Sequence, residues 1–237
     1  MMKNSIILAG GLGTRLRPLT DEIPKPLLPI GDKPILERII ENMTAQGIEN
    51  IFISVNYKKD MIKNYFKDGK MMKTKIKYIE EERSTGTAGC LTLLPENFCD
   101  DIIVSNGDLL SDVDYNGIDK LLHVDGADFV LTTIEKSYKI DFGVINSDES
   151  TKKLIDWVEK PTYTYNVNAG IYGVSAKVIK FIKNNFKQNT RIDMPELWKI
   201  LTENNFTLLI YKHPGDWYDI GRIDDYVNIN STFSNNN

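Results

Sequence analysis

A chain of 237 residues, 41% of them hydrophobic, holds one large α/β domain and leaves no room for a second full one. With 29 basic and 33 acidic residues its formal net charge is −4 and it has no basic tract, which excludes a nucleic-acid binder and means that an anionic ligand must be held locally. The opening apolar run is too short for a signal peptide and no stretch reaches bilayer length, so the expectation is a cytoplasmic protein with no membrane segment. Cys90 and Cys99, with eight residues between them and no histidine-rich surroundings, fit neither a disulfide framework nor a zinc site.

In chain order, residues 5–9 read as a short apolar strand, 34–46 as a helix stopped by Gly47, and 50–56 as a strand. A helix over 60–67, a strand over 75–81, a helix over 88–94 and a strand over 101–105 follow. This alternation predicts a parallel sheet with helices on both faces and ligand sites beyond the carboxyl ends of its strands. The second half is more mixed, with strands expected at 128–134, 142–146, 170–174 and 206–211 and helices at 176–183 and 194–204. One domain over 1–232 and a disordered asparagine-rich tail over 233–237 complete the reading.

Leu8-Ala9-Gly10-Gly11-Leu12-Gly13-Thr14-Arg15 follows the first strand, and its glycines let the backbone turn tightly and aim N–H groups at a phosphate chain. A dinucleotide fingerprint would need glycine where Leu16 stands, and a P-loop would need Gly-Lys-Ser/Thr, so neither is supported. Taken alone, the glycines read equally well as a structural turn. Arg15 at the loop's end and Lys25 between Pro24 and Pro26 favour the anion: a bidentate fork and a compact point charge suit departing pyrophosphate. Residues 101–105 end in Asn106-Gly107-Asp108, which places a carboxylate at a strand's carboxyl end. Mg²⁺ takes only one or two protein carboxylates and fills its shell with water and phosphate, so one converging acid would complete the set.

The string from Leu8 to Thr20, then Pro24-Lys25-Pro26-Leu27 and Gly31-Asp32-Lys33-Pro34-Ile35-Leu36, resembles the opening signature of the sugar-1-phosphate nucleotidyltransferase (nucleotide-sugar pyrophosphorylase) family. The pattern is most like that of small guanylyltransferases acting on mannose-, heptose- or glucosamine-1-phosphate. The resemblance runs from Ser5 to about Asn230 and implies a Rossmann-like α/β/α sandwich with a mixed, mainly parallel central sheet. It implies catalytic roles for Arg15, Lys25 and Asp108, and nucleotide contacts from Leu8, Ala9, Gly10, Gly11, Gly13 and Thr14. Trp217-Tyr218-Asp219-Ile220-Gly221 is similar to the family's late W-x-D-x-G motif, whose acid shares Mg²⁺ with that of the Asn-Gly-Asp motif. Arg222-Ile223 departs from the Thr-Pro that many relatives carry there. Asp112, Asp114 and Asp216 are nearby acids that read more simply as turn or cap residues.

By the same resemblance, Gly86, Thr87 and Ala88 line the nucleobase pocket. An ionised Glu81 beside them can accept the two donors of guanine's pairing edge, which favours GTP over other nucleoside triphosphates. Phe142-Gly143-Val144, Glu159-Lys160-Pro161 and the segment 167–172 resemble the sugar-phosphate elements, with Gly143, Glu159, Lys160 and Asn168 as the contacts. The partners implied are a nucleoside triphosphate and a sugar 1-phosphate, and a homo-oligomer is compatible. A uridylyl- or cytidylyltransferase is the alternative, and a catalytically silent nucleotide- or sugar-binding subunit is another, against which the joint presence of Arg15, Lys25, Asp108 and Asp219 argues. His123 and His213 have no partner acid visible in the sequence and read as surface or packing residues.

Overall fold

The computed structural model describes residues 2–234, and residues 235–237 of the expected tail lie outside them. β1 (Asn4–Leu8) leads into the glycine-rich loop, a 3-10 turn at Thr14–Leu16, α1 (Leu19–Glu22), a second turn at Lys25–Leu27 and the hairpin β2 (Pro29–Ile30) and β3 (Lys33–Pro34). Then come α2 (Ile35–Ala45), β4 (Asn50–Val55), α3 (Lys59–Phe66), β5 (Lys75–Glu80), α4 (Gly86–Gly89), β6 (Ile102–Asn106), β7 (Leu109–Ser111) and α5 (Tyr115–His123). The second half holds β8 (Phe129–Lys139), β9 (Val144–Ser147), β10 (Leu154–Val158), β11 (Thr162–Val174), α6 (Ala176–Asn185), α7 (Met194–Glu203), β12 (Leu208–Lys212), β13 (Trp217–Asp219) and α8 (Ile223–Ser234). Phe233 and Ser234, assigned to the tail from sequence, belong to α8.

Seven strands form one sheet in the order β12-β8-β11-β6-β1-β4-β5. Every neighbouring pair is parallel except those made by β11, which opposes β6 and β8. Both faces are covered, and successive residues therefore serve opposite cores. On β4, Ile51 and Ile53 join Ile39, Ile40 and Met43 of α2 and Ile62 of α3. Phe52 joins Val178 and Ile182 of α6 and Leu197 and Leu201 of α7. Burial of each such aliphatic side chain contributes about 1.5–3 kcal/mol relative to exposure. The sandwich thus follows from apolar strands with alternating partners and helices apolar on one stripe.

Several elements differ from the sequence expectation. Residues 88–94 are not a single helix: the four-residue α4 passes into a 3-10 turn over Cys90–Leu93. α5 was not expected because Gly117 interrupts its helical pattern, yet a Cβ there would lie 2.4 Å from the ring of Tyr211. The strand expected at 142–146 is β9, outside the main sheet, where it pairs only with β10. β8 and β11 outrun the sheet as a two-stranded arm from Glu135↔Asn166 to Lys139↔Thr162, and the β9–β10 ribbon connects their ends.

That ribbon exposes both faces, including Ile145, Leu154 and Trp157. A two-stranded ribbon without a buried face is marginal in water. Its amides exchange at least ~10³-fold faster than those of β1, β4 and β6. Hydrogen exchange read by mass spectrometry checks this, and comparable protection of the two regions would contradict it.

Candidate active site

The site is built at the carboxyl ends of β1 and β6. Ala9 N–H donates to the Ser54 carbonyl at 2.9 Å and closes the strand. Beyond it the backbone N–H groups of Gly10, Gly11, Leu12 and Gly13 form no hydrogen bond among the described residues. Four successive free donors suit an anion. Gly13, at φ +63°, ends the run; its carbonyl accepts from Leu16 N–H and from the Thr20 hydroxyl, both at 2.9 Å, fixing the turn that carries Arg15. Thr14 is exposed at the start of that turn.

β6 delivers Asp108 to the same place because Gly107 donates to the Leu8 carbonyl at 2.9 Å, and a Cβ at Gly107 would sit 2.6 Å from that oxygen. Lys25 reaches across from its turn to form an ion pair with the Asp108 carboxylate; the two side chains are 11% and 26% exposed. Asp219 arrives through the β7–β13 ladder, where it pairs with Leu109, and Ile220 N–H donates to the Asp108 carbonyl at 3.0 Å. Burial, and then the charge of Asp108, push the Asp219 carboxyl above its ordinary pKa, against the pull of Lys25 and Arg15. The four residues singled out as catalytic or metal-ligating are therefore within electrostatic reach of one another.

Two oxygen-donor carboxylates that repel each other are what a hard divalent cation relieves, and with water and phosphate they form an adequate Mg²⁺ set. The described residues contain no cluster of three or more metal-ligating side chains. Two of the three competing acids have their carboxylates engaged otherwise. Asp114 caps α5 by accepting from Asn116 N–H at 2.9 Å, and Asp112 lies 3.0 Å from His213 Nε2. Asp216 offers its carbonyl to the same nitrogen at 3.1 Å. Both histidines thus have acid partners that the sequence did not reveal, since His123 Nε2 lies 2.8 Å from Asp101.

A cavity of about 320 Å³ opens beside this group, lined by Leu8, Gly10 and Gly11 at one end, Glu81, Gly86 and Thr87 at another, and Asp108. Ala9 and Ala88, expected to touch nucleotide, bury their side chains in the two cores, which leaves only their backbone to meet a ligand. Gly86 and Gly89 press the turn against the 190–193 backbone: added Cβ atoms would lie 2.5 Å from the carbonyls of Ile192 and Thr190. That close approach places Arg191 and Asp193 in the cavity wall, two residues the sequence reading did not single out.

Glu81 is committed to the fold. One carboxylate oxygen accepts from Thr85 N–H at 2.9 Å and the Thr85 hydroxyl at 2.7 Å, and the other accepts from the Ser54 hydroxyl. Three of about four acceptor positions are filled, so Glu81 cannot take two guanine donors without releasing the turn. In this arrangement Glu81 gives no preference for guanine over other bases. Glu81→Gln should keep nucleotide selectivity within about twofold, because an amide oxygen still accepts from Thr85 and its NH₂ can meet the Ser54 hydroxyl. A tenfold change in preference among nucleoside triphosphates would return Glu81 to base recognition.

The sugar-phosphate candidates are only partly gathered. A Cβ at Gly143 would lie 2.9 Å from a carboxylate oxygen of Glu159, so these two adjoin across the ribbon. Lys160 is exposed at φ +45° in the turn after β10. Asn168 spends its amide locally, donating to the Tyr172 hydroxyl at 2.8 Å and accepting from Gly170 N–H at 3.0 Å. None of the four lines the 320 Å³ cavity.

A family model described as nucleotidyl transferase matches residues 4–236. The chain is 34% identical over 232 residues to the bifunctional protein GlmU of Methanococcus aeolicus, covering 96% of this chain and 54% of that protein. It is 32% identical over 232 residues to mannose-1-phosphate guanylyltransferase 1 of Arabidopsis thaliana, covering 94% and 62%. The chain spans only about half to three-fifths of the length of these relatives. The crystal structure of HddC from Yersinia pseudotuberculosis complexed with GMP-PN superposes with a TM-score of 0.73 at 28% identity, covering 98% of this chain and 100% of that one.

Proposed function

The chain belongs to the nucleotidyl transferase family, and from that premise we propose that it joins a nucleoside monophosphate to a sugar 1-phosphate and releases pyrophosphate. The observation that carries this reading is the convergence of Lys25, Arg15, Asp108 and Asp219 beside four free backbone donors. In the proposed reaction an oxygen of the sugar phosphate attacks the α-phosphorus in line while pyrophosphate departs from the opposite side, so no covalent enzyme intermediate is needed. Gly10 to Gly13 cradle the triphosphate, and Arg15 and Lys25 offset the charge that builds on the leaving group. Asp108 and Asp219 would hold Mg²⁺, which when bound supplies charge neutralisation at the phosphates. Lys160 and Glu159, in the turn that ends the ribbon, would align the sugar phosphate.

GTP is the nucleotide we favour, a choice supported by the guanylyltransferase relative and by the GMP-PN that HddC carries. Uridylyl or cytidylyl transfer on the same scaffold is the second reading, since the relatives also include a UTP–glucose-1-phosphate uridylyltransferase. Among the described residues no helix is long and apolar enough to cross a membrane, and a cytoplasmic setting, where nucleoside triphosphates are available, suits the reaction. Pyrophosphate release across five nucleoside triphosphates and a panel of hexose, hexosamine and heptose 1-phosphates tests the proposal. Release confined to GTP supports the guanylyl reading, another active nucleotide replaces it, and silence throughout with intact nucleotide binding moves the chain to the binding-subunit reading.

A further inference from the structure

Arg191 stands in the connection between α6 and α7, exposed, with no hydrogen bond, ion pair or ring contact among the described residues. It does not belong to a loose loop. Ile192 N–H donates to the Thr85 carbonyl at 2.9 Å, and the Ile192 carbonyl accepts from Ala88 and Gly89 at 2.9 and 3.1 Å. Asp193 accepts from Thr87 N–H at 3.1 Å, and Met194 N–H donates to the Thr87 hydroxyl at 2.8 Å. Pro195 then stiffens the start of α7. Five hydrogen bonds thus staple residues 192–194, which follow Arg191 directly, to the Thr85–Gly89 segment, and Arg191 lines the cavity. An unpartnered fork of donors carried beside a fixed backbone is suited to bidentate recognition.

We infer that Arg191 is a specificity-determining residue that grips a pair of adjacent acceptor atoms on a substrate. The inference rests on the nucleotidyltransferase reading and extends it. Glu81, which lines the same cavity, is already occupied, and Arg191 is a cation in that lining with free donors. Two sources present the required pair. On a nucleobase, guanine offers O6 with N7 and cytosine offers O2 with N3, whereas uracil, thymine and adenine present no two adjacent acceptors. On a sugar 1-phosphate, vicinal hydroxyls or a carboxylate offer two oxygens.

Steady-state kinetics of Arg191→Ala and Arg191→Lys, varying each substrate in turn, tests this. Arg191→Ala should raise the KM for one substrate about tenfold or more with kcat within about threefold, and Arg191→Lys should recover only a minor part, because a point charge does not replace a fork. A shift in the nucleotide KM assigns the pair to the base, and a shift in the sugar-phosphate KM assigns it to the sugar. Both KM values within twofold of the parent would overturn the inference, as would a joint rise accompanied by a lowered melting temperature, which marks a purely structural role. If the parent chain itself releases no pyrophosphate, the transferase reading fails separately. Calorimetric binding of GTP and of mannose 1-phosphate then decides Arg191, with unchanged affinity for both in Arg191→Ala rejecting it.

Discussion

Asp108→Asn lowers Mg²⁺-dependent pyrophosphate release by about 10³-fold, the loss expected when roughly 4 kcal/mol of transition-state stabilisation goes with a metal ligand. The fold survives the change. Asp108 is a quarter exposed at a strand end, and its backbone contact with Ile220 is independent of the side chain, so the melting temperature should stay within about 3 °C of the parent. Removing this charge also weakens the cation site, because Asp219 is left as the single carboxylate, and titration with Mn²⁺ followed by electron paramagnetic resonance should show weaker binding. Near-parental turnover would remove Asp108 from the metal and leave the convergence of acids without a role.

Lys25→Ala loses turnover by about 10²–10³-fold for a different reason, the loss of a cation aimed at the departing pyrophosphate. Its signature is opposite in sign at the metal. The Lys25 ammonium is paired with the Asp108 carboxylate and competes with a divalent cation for it, so Lys25→Ala should bind Mn²⁺ more tightly while turning over slowly. Lys25→Arg should restore little, because the ammonium sits in a slot that leaves the side chain 11% exposed, and the planar guanidinium does not fit the space of a point charge. Weaker Mn²⁺ binding in Lys25→Ala would mean that Lys25 supports the acids structurally and does not contend with metal.

Both variants fall in the part of the site that the sequence exposes. Gly10 to Gly13, Lys25 between its prolines and Asp108 after an apolar strand are local patterns, so their chemistry is legible from adjacent letters. Asp219 is legible only through the family resemblance: the strand that carries it has three residues, and its position is set by pairing with a strand about 110 residues earlier. Glu81 is misread for the same physical reason. Its partners are Thr85, four residues on, and Ser54, 27 residues back on the neighbouring strand, and no pattern of charges in the 75–85 segment reveals that the carboxylate is already satisfied.

Arg191 escapes notice because it lies in a short connection without periodicity. The available signal was an arginine just ahead of Asp193 and Pro195, a helix start that could have fixed its direction. β1, β4 and β6 were readable because strands buried on both faces are near-continuous apolar runs. The arm and the β10 half of the ribbon were not, since Tyr138, Tyr165 and Trp157 are exposed and obey neither core period. Their sequence looks like strand without a core because that is what it forms.

The measurement that bears most directly on the central claim is phosphorus NMR of the purified chain with Mg²⁺, GTP and mannose 1-phosphate, repeated with the other nucleotides and sugar phosphates if the first pair is silent. The proposed transfer predicts that a nucleoside diphosphate-sugar and free pyrophosphate accumulate in equal amounts for at least one pair, and that neither forms without the sugar phosphate. Pyrophosphate appearing with nucleoside monophosphate alone, or no conversion of any pair by a folded chain that binds nucleotide, would contradict it.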